Sequence, residues 1–271
     1  MIRIIVPCYS RPEFLAVGLP LLKSQVANHD VSIRFSLDYG HDRRYLEVIR
    51  SVMRGSQCAY DIHYMPLTGY TVGKQSYHLL SQYAVAARNP NYHLIIMLEE
   101  DVFVSSGFLD WHETAHQNRD LFCAVASKNN NRQSDIPRED YLAFGEYQGL
   151  GVSFKPKIIM QYLIPHIVDS YFSDPIRYCR QQFPSSTILP LFAEQDGLIS
   201  RIQATSGLPI LFAGQPTAFH VGFYGKARNK RLKRVLSYAD KLKMVSEVCF
   251  KQDLLDEVSG GAKDCRACPS V

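Results

Sequence analysis

Apolar runs and amphipathic stretches alternate at short intervals through the first hundred residues. Continuous or alternating apolar positions at 2–6, 31–37, 61–65 and 93–98 predict β-strands. Apolar residues at helical spacing predict helices in the segments between them, at 12–22, 45–52 and 71–87. This succession predicts an α/β fold with a mostly parallel sheet and helices on both faces.

The second half of the chain has a less regular pattern. It predicts helices at 108–117, 156–171 and 197–205, strands at 121–127 and 149–154, and a last helix that begins near 226 or 231 and ends at about 258. No repeat and no low-complexity linker divides the chain. We therefore expect one domain over residues 1–258, followed by a polar tail at 259–271.

Composition supports a globular protein, because 46% of the residues are hydrophobic and 21% are charged. The net charge of +4 is a mild basic excess that does not identify a partner. Six of the nine residues at 226–234 are cationic. On a helix these cations would be spread around most of the circumference, which favours a solvated face. Binding of a polyanion such as DNA through phosphate contacts is the alternative.

Membrane insertion and secretion are not predicted. No segment reaches the roughly 18 consecutive apolar residues of a membrane span, and the opening apolar run lacks a small-residue cleavage site before charge resumes at Arg11. We therefore expect a cytoplasmic protein without a transmembrane segment. Of seven cysteines, Cys265 and Cys268 form a C-x-x-C pair in the tail, which is compatible with a metal or redox role or with a disordered end.

The acidic triplet Glu99-Glu100-Asp101 directly follows the most apolar predicted strand. Three adjacent carboxylates repel one another and cannot be buried without a compensating cation. Mg²⁺ or Mn²⁺ prefers carboxylate oxygens together with the phosphate oxygens of a nucleotide. The triplet therefore indicates a metal and phosphate site, with a solvated acidic turn as the alternative.

Other polar residues follow predicted strands of the same sheet. The segment from Pro7 to Arg11 and the residue Asp38 come directly after the first and second strands. Because right-handed crossovers bring the carboxyl ends of parallel strands to one edge, these residues and the triplet are expected to converge there.

Four stretches of the chain resemble the GT-A glycosyltransferases, and in particular the inverting β-1,2-N-acetylglucosaminyltransferases that act on mannose. They are IIVPCYSRPEFL, SLDYGHDRRYLEVI, LEEDVFVSSGFLDW and the region of Glu194-Gln195-Asp196. The likeness runs in order over roughly residues 2–205 and is loose between the motifs. It implies a GT-A fold and a metal-dependent, inverting transfer of a sugar from a UDP-sugar.

The resemblance also implies roles for single residues. The opening loop, with Pro7 and Tyr9, would contact the nucleotide, and Arg11 its ribose or phosphates; a surface cation is the alternative for Arg11. Asp38 would hydrogen-bond the base, or else form an Asx turn before Gly40. In the DXD-like triplet, Asp101 would bind Mn²⁺ or Mg²⁺, Glu100 would contact ribose or metal-bound water, and Glu99 would complete the sugar-diphosphate site.

Direct displacement at the anomeric carbon also needs a base for the acceptor hydroxyl. Asp196 is the first candidate and Glu194 the second, because AEQDGLISRI places these carboxylates just ahead of a helix. The family's paired aspartates are replaced here by Glu-Gln-Asp, which leaves the choice between the two open. The alternative for Asp196 is an N-cap of a helix that starts at Gly197. His220 is either a late metal ligand or a structural histidine, and Lys74, close to two glycines, is a candidate phosphate contact.

The sequence as a whole predicts an inverting glycosyltransferase whose acceptor is a glycan, a lipid-linked saccharide or a hydroxymethylated base in DNA. A nucleotidyltransferase of the same fold is disfavoured, because residues 7–11 contain no glycine. A non-catalytic nucleotide-sugar or glycan-binding module stays open. A Rossmann dehydrogenase is excluded, since no G-x-G-x-x-G follows the first strand.

Overall fold

The computed structural model describes residues 1–70, 73–127, 139–184, 193–221, 237–240 and 243. The strands in this part of the chain are β1 (Ile2–Cys8), β2 (Val31–Leu37), β3 (Ala59–Tyr64), β4 (Leu94–Met97), β5 (Val102–Val104), β6 (Cys123–Val125), β7 (Tyr141–Ala143), β8 (Val152–Phe154), β9 (Ile210–Phe212) and β10 (Ala218–His220). The α-helices are α1 (Pro12–Val26), α2 (Arg44–Met53), α3 (Lys74–Ala87), α4 (Phe108–Ala115), α5 (Pro156–Ile158), α6 (Asp169–Ser173), α7 (Pro175–Gln182) and α8 (Gln195–Ser206).

Eight of these strands form one sheet in the order β3-β2-β1-β4-β8-β6-β9-β7. The first four run parallel, and β8 is antiparallel to both β4 and β6. A second, two-stranded sheet pairs β10 with β5 in antiparallel register. The predicted parallel half is confirmed, and the carboxyl ends of β1, β2 and β4 share one edge.

The helices cover both faces of the sheet. Along β1, Ile4 and Val6 pack into the cluster of α1 and α2, whereas Ile5 packs into the cluster of α3 and α8. Ile95 and Ile96 on β4 divide between the same two clusters. A strand that is buried on both faces needs apolar side chains at every position, which explains the continuous apolar runs.

Two predicted helices differ from the structure or extend beyond its description. The segment predicted as one helix over 156–171 is divided into α5, a π-helix at Ile159–Leu163, a 3₁₀ turn at Ile164–His166 and α6. Pro165 has no N–H to continue an α-helical ladder, so that prediction was wrong. The predicted last helix lies outside the described residues except for 237–240 and 243, and the basic segment 226–234 and the tail 259–271 lie wholly outside them.

Gly73 lies against the backbone of Phe172 at the start of α3. A Cβ at position 73 would stand 2.3 Å from the Phe172 carbonyl oxygen and 2.7 Å from its Cα. We expect Gly73→Ala to lower the free energy of unfolding by about 2–3 kcal/mol, because backbone cannot move away as a side chain can. Urea denaturation measures this, with Gly69→Ala as control, since nothing lies within 4 Å of a Cβ there. Equal effects at both positions would contradict the close approach.

His112 on α4 and His116 at the end of that helix are buried next to Ser153 of β8. His112 Nδ1 is 2.7 Å and His116 Nε2 is 2.9 Å from Ser153 Oγ. Burial lowers the pKa of His112 well below its usual value and lowers that of His116 to about 4. Both imidazoles are therefore neutral in the folded protein at neutral pH.

This burial predicts a loss of stability in acid. Between about pH 6.5, where an unfolded histidine titrates, and about pH 4, where folded His116 does, the unfolded chain binds more protons. We expect His116 to contribute a loss of roughly 3 kcal/mol across this window as the pH falls. Urea denaturation at several pH values measures it. His116→Asn should reduce the dependence, and an unchanged slope in this variant would contradict the assignment.

Candidate functional site

The loop after β1 is fixed to the acidic triplet by Glu100. The Glu100 carboxylate is buried and accepts hydrogen bonds from Tyr9 N at 3.2 Å, Ser10 N at 3.3 Å and Arg11 Nε at 3.3 Å. A fourth comes from the hydroxyl of Tyr45 on α2. Two of these bonds fall on each carboxylate oxygen, so Glu100 is held entirely by protein groups.

Arg11 provides the positive charge of the cluster. Its Nη1 forms an ion pair with Asp101 Oδ2 while its Nε contacts Glu100. Burial opposes the charge on the guanidinium, but the carboxylates of Asp101, Glu100 and Glu99 outweigh it and raise the pKa of Arg11. Arg11 is thus oriented along the acidic edge and is not an unattached surface cation.

Asp101 is brought next to His220 by the two-stranded sheet. His220 pairs with Val102 in the β5–β10 ladder, and Val221 N donates to the Asp101 carbonyl oxygen at 2.9 Å. His220 Nε2 consequently lies 3.2 Å from Asp101 Oδ2. Burial alone would raise the pKa of Asp101, but the hydrogen bond from His220 and the charge of Arg11 lower it. The carboxylate is therefore ionised at neutral pH.

Asp101 and His220 could supply two of the ligands of a divalent cation. Asp101 Oδ1 is buried and has no hydrogen-bond partner in the described part of the chain. The 3.2 Å between His220 Nε2 and Asp101 Oδ2 is close to the separation of about 3 Å between neighbouring ligands of an octahedral ion bound at about 2.1 Å. Among the described residues no group of three or more His, Cys, Asp or Glu side chains could hold a metal. The remaining ligands would then have to be phosphate oxygens and water.

Asp38, at the carboxyl end of β2, lies between two residues of α3. Asp38 Oδ2 accepts from Lys74 Nζ at 2.9 Å, and Asp38 Oδ1 is 4.0 Å from His78 Nδ1. His78 is buried, its Nε2 is 2.8 Å from Ser36 Oγ, and burial lowers its pKa to about 4. Its Nδ1 and the buried hydroxyl of neighbouring Tyr9 have no hydrogen-bond partner among the described residues.

Glu99 and Asp196 line one small cavity between β4, α3 and α8. Its other walls include Leu79, Tyr83, Met97, Tyr147, Gly149 and Gln195. Burial and the charges of Asp101 and Asp196 raise the pKa of Glu99 to about 8. Asp196 is exposed to solvent at this cavity. The protein around its carboxylate and the charge of Glu194 raise its pKa to about 6, against a backbone hydrogen bond from Gly149.

The position at which α8 starts excludes Asp196 as the N-cap of this helix. The helix begins at Gln195 with Glu194 in the N-cap position, and no side chain caps it. Asp196 lies in the first turn and is not the N-cap of a helix that starts at Gly197, because the helix begins two residues earlier. Glu194 is exposed at the helix entrance. Both carboxylates therefore stay candidate bases by position.

The predicted site residues lie around one edge of the sheet. Pro7 differs from the others because its side chain is apolar. Pro7 is buried inside β1, where it pairs with Ser36, and contributes no polar group. Sequence reasoning missed Tyr45, His78 and Gly149. Tyr45 occupied an ordinary apolar helix position and His78 was a lone histidine, so neither carried a sequence signal. The binding and catalytic roles of all these residues stay predictions.

Comparison with solved structures identifies the fold. The S. aureus TarS 1–349 structure in complex with UDP-GlcNAc covers 91% of this chain and 65% of its own length, with a TM-score of 0.51 and 9% identity. The chain has the GT-A fold. LgtC, in complex with donor and acceptor sugar analogs, covers 78% of this chain and 73% of its own at TM-score 0.46 and 10% identity. A 4-diphosphocytidyl-2C-methyl-D-erythritol synthase from Anaerococcus prevotii covers 92% and 98% at TM-score 0.45 and 10% identity.

The similarity to TarS shows the GT-A fold and nothing finer. No protein-family model matches the sequence, and no curated protein matches it. The chain spans slightly less than two thirds of TarS 1–349. The resemblance to the mannose-directed β-1,2-N-acetylglucosaminyltransferases accordingly rests on the four sequence motifs alone. In the part of the chain that the structure describes, no helix has the length and apolarity of a membrane span.

Proposed function

We propose that the protein is a glycosyltransferase that moves a sugar from a UDP-sugar to an acceptor hydroxyl with inversion at the anomeric carbon. The observation that carries the proposal is the position of Glu99. Its neighbours Glu100 and Asp101 form the cluster with Arg11, and its own carboxylate shares a cavity with Asp196. This supports a diphosphate bound at that cluster, next to a carboxylate that would act as the base, within a GT-A fold.

Asp38 and Lys74 would pair with part of the edge of uracil. Uracil presents an N–H between two carbonyl oxygens, so it needs an acceptor between two donors. Asp38 would be the acceptor, and Lys74, whose Nζ lies 2.9 Å from Asp38 Oδ2, would donate to one of the two carbonyl oxygens. Cytosine, with an unprotonated ring nitrogen at that position, would face the Asp38 carboxylate unfavourably. This supports a uridine donor.

The diphosphate would bind at Arg11 and Asp101. A Mn²⁺ or Mg²⁺ ion held by Asp101 and His220 would neutralise charge on the leaving diphosphate. Arg11 lies in ion-pair contact with Asp101, and we assign to it the binding of the phosphates as a fixed cation. Lys74 adds positive charge at the nucleotide end of the same edge.

Asp196 would accept the proton of the acceptor hydroxyl. The hydroxyl oxygen forms its bond to the anomeric carbon as the bond from that carbon to the diphosphate oxygen breaks, and UDP leaves with the electron pair. A single displacement of this kind inverts the configuration. Glu194 is the second candidate for the base. We propose a saccharide hydroxyl as the acceptor.

A donor screen tests the proposal. Thermal shift and calorimetry with UDP, CDP and GDP in the presence of Mn²⁺ should show binding of UDP at least tenfold tighter than CDP or GDP. UDP-sugars should then release UDP with Mn²⁺ present, and release should rise with a suitable saccharide acceptor. Release of pyrophosphate from a nucleoside triphosphate would indicate a nucleotidyltransferase instead. Tight UDP-sugar binding with no turnover for any acceptor would favour a non-catalytic module.

A further inference from the structure

We propose that Tyr45 and Glu100 are positioning residues that set the direction of Arg11, and that neither touches the donor. The inference rests on the proposed function, since it concerns how the UDP-sugar site is held in shape. It differs from the role that the sequence motif implied for Glu100, which was a contact with ribose or metal-bound water.

The first argument is the saturation of Glu100. An ionised carboxylate has about four acceptor positions, and Glu100 fills four with Tyr9 N, Ser10 N, Arg11 Nε and the Tyr45 hydroxyl. The residue is only 3% exposed. A ribose hydroxyl or a metal-bound water would have to displace one of these donors, and a displaced backbone N–H in a buried place is costly.

The second argument is the place of Tyr45 between two elements. Its ring is fully buried on α2, and its hydroxyl accepts from Arg11 N at 2.5 Å while it donates to Glu100 Oε2. Burial and the charge of Glu100 raise the pKa of Tyr45, so the hydroxyl keeps the proton that it donates. Tyr45 therefore fixes both the main chain of Arg11 and the carboxylate that holds the Arg11 side chain.

The third argument is that different nitrogens of the Arg11 guanidinium contact different residues. Its Nε is committed to Glu100, and its Cζ lies 5.7 Å from the centre of the Phe14 ring. Its Nη1 instead contacts Asp101, the residue at which we place the metal and diphosphate. The group is thus anchored at one end, and the opposite end faces the ligand site. Loss of the anchor should loosen Arg11 without removing any group that touches the donor.

The test removes only a hydroxyl. Tyr45→Phe keeps the buried ring, and Tyr178→Phe is the control, because Tyr178 is also buried and its hydroxyl lies 2.9 Å from His166 Nδ1, outside the site. With Mn²⁺ present, we expect Tyr45→Phe to weaken UDP about tenfold by calorimetry and to raise KM for the UDP-sugar similarly. We expect kcat to change less than threefold, and Tyr178→Phe to bind UDP within twofold of the wild type.

A double variant separates positioning from a general loss of stability. If Tyr45 acts through Arg11, Tyr45→Phe should weaken UDP no further in an Arg11→Ala background. Losses that multiply, or an unchanged UDP affinity in Tyr45→Phe while Arg11→Ala weakens binding, would overturn the inference and leave the proposed function intact. Failure of the wild type to bind UDP would instead refute the proposed function. Should Tyr45→Phe not fold, Glu100→Gln gives the same readouts, because it removes the charge that holds Arg11 Nε.

Discussion

Asp196→Asn is expected to lower kcat about a thousandfold and to leave UDP affinity within twofold of the wild type. The amide has nearly the shape of the carboxylate but cannot accept the proton of the acceptor hydroxyl, and a positioned general base contributes typically 10²–10⁴-fold. Transfer assays at saturating UDP-sugar measure kcat, and calorimetry measures UDP binding. A variant with more than a tenth of wild-type kcat would show that Asp196 is not the base.

The pH profile gives an independent check on the same residue. The protein around its carboxylate and the charge of Glu194 raise the pKa of Asp196 to about 6, so kcat/KM should fall as the pH drops through about 6 and level off above pH 7, where the carboxylate is ionised. Glu194→Gln removes a negative neighbour and should move this acid limb to lower pH with little loss of the plateau rate. If Glu194→Gln abolished turnover and Asp196→Asn did not, the two roles would be exchanged.

The long elements of the fold were predictable from local pattern because each buries a complete face. The apolar run that predicted a strand at 31–37 corresponds to β2, and the pattern at 45–52 corresponds to α2. β5 and β10 have three residues each and pair across more than a hundred positions of sequence. Periodicity cannot identify so short a strand, and its pairing depends on the rest of the sheet. Such a strand brings His220, the last residue of β10, to the site.

The candidate site was predictable in its location but not in its internal contacts. Strand ends and crossover handedness sufficed to bring Arg11, Asp38 and the triplet to one edge. Nothing local distinguished Glu100 from Asp101, since both are acids in the same turn. Their difference comes from Tyr45, which lies 55 positions before Glu100 and donates to it. The motif therefore suggested ligand contacts for both, and the structure gives Glu100 a set of protein partners.

Asp101→Asn is the second variant with a large expected effect. The amide keeps one oxygen but loses the charge that pairs with Arg11 and that a Mn²⁺ ion prefers. We expect the affinity for UDP in the presence of Mn²⁺ to fall at least a hundredfold, of the order of 3 kcal/mol, and the dependence of UDP binding on Mn²⁺ to disappear. Calorimetry with UDP, with and without Mn²⁺, measures both. Asp120→Asn is the control, because it removes the same charge from an exposed residue whose Oδ1 lies 3.4 Å from Lys157 Nζ.

Arg11→Ala should distinguish metal binding by Asp101 from its ion pair with Arg11. Arg11→Ala and Asp101→Asn are expected to change the affinity for Mn²⁺ without nucleotide in opposite directions. In the ligand-free protein the Asp101 carboxylate is neutralised by Arg11, and a divalent ion approaching it meets a guanidinium of like charge. Removing Arg11 should therefore tighten Mn²⁺ binding in the absence of nucleotide, by about tenfold, although it weakens UDP. Asp101→Asn should weaken both. If Arg11→Ala and Asp101→Asn both left Mn²⁺ binding unchanged, Asp101 would not be a metal ligand, and Arg11 alone would provide the positive charge for the diphosphate.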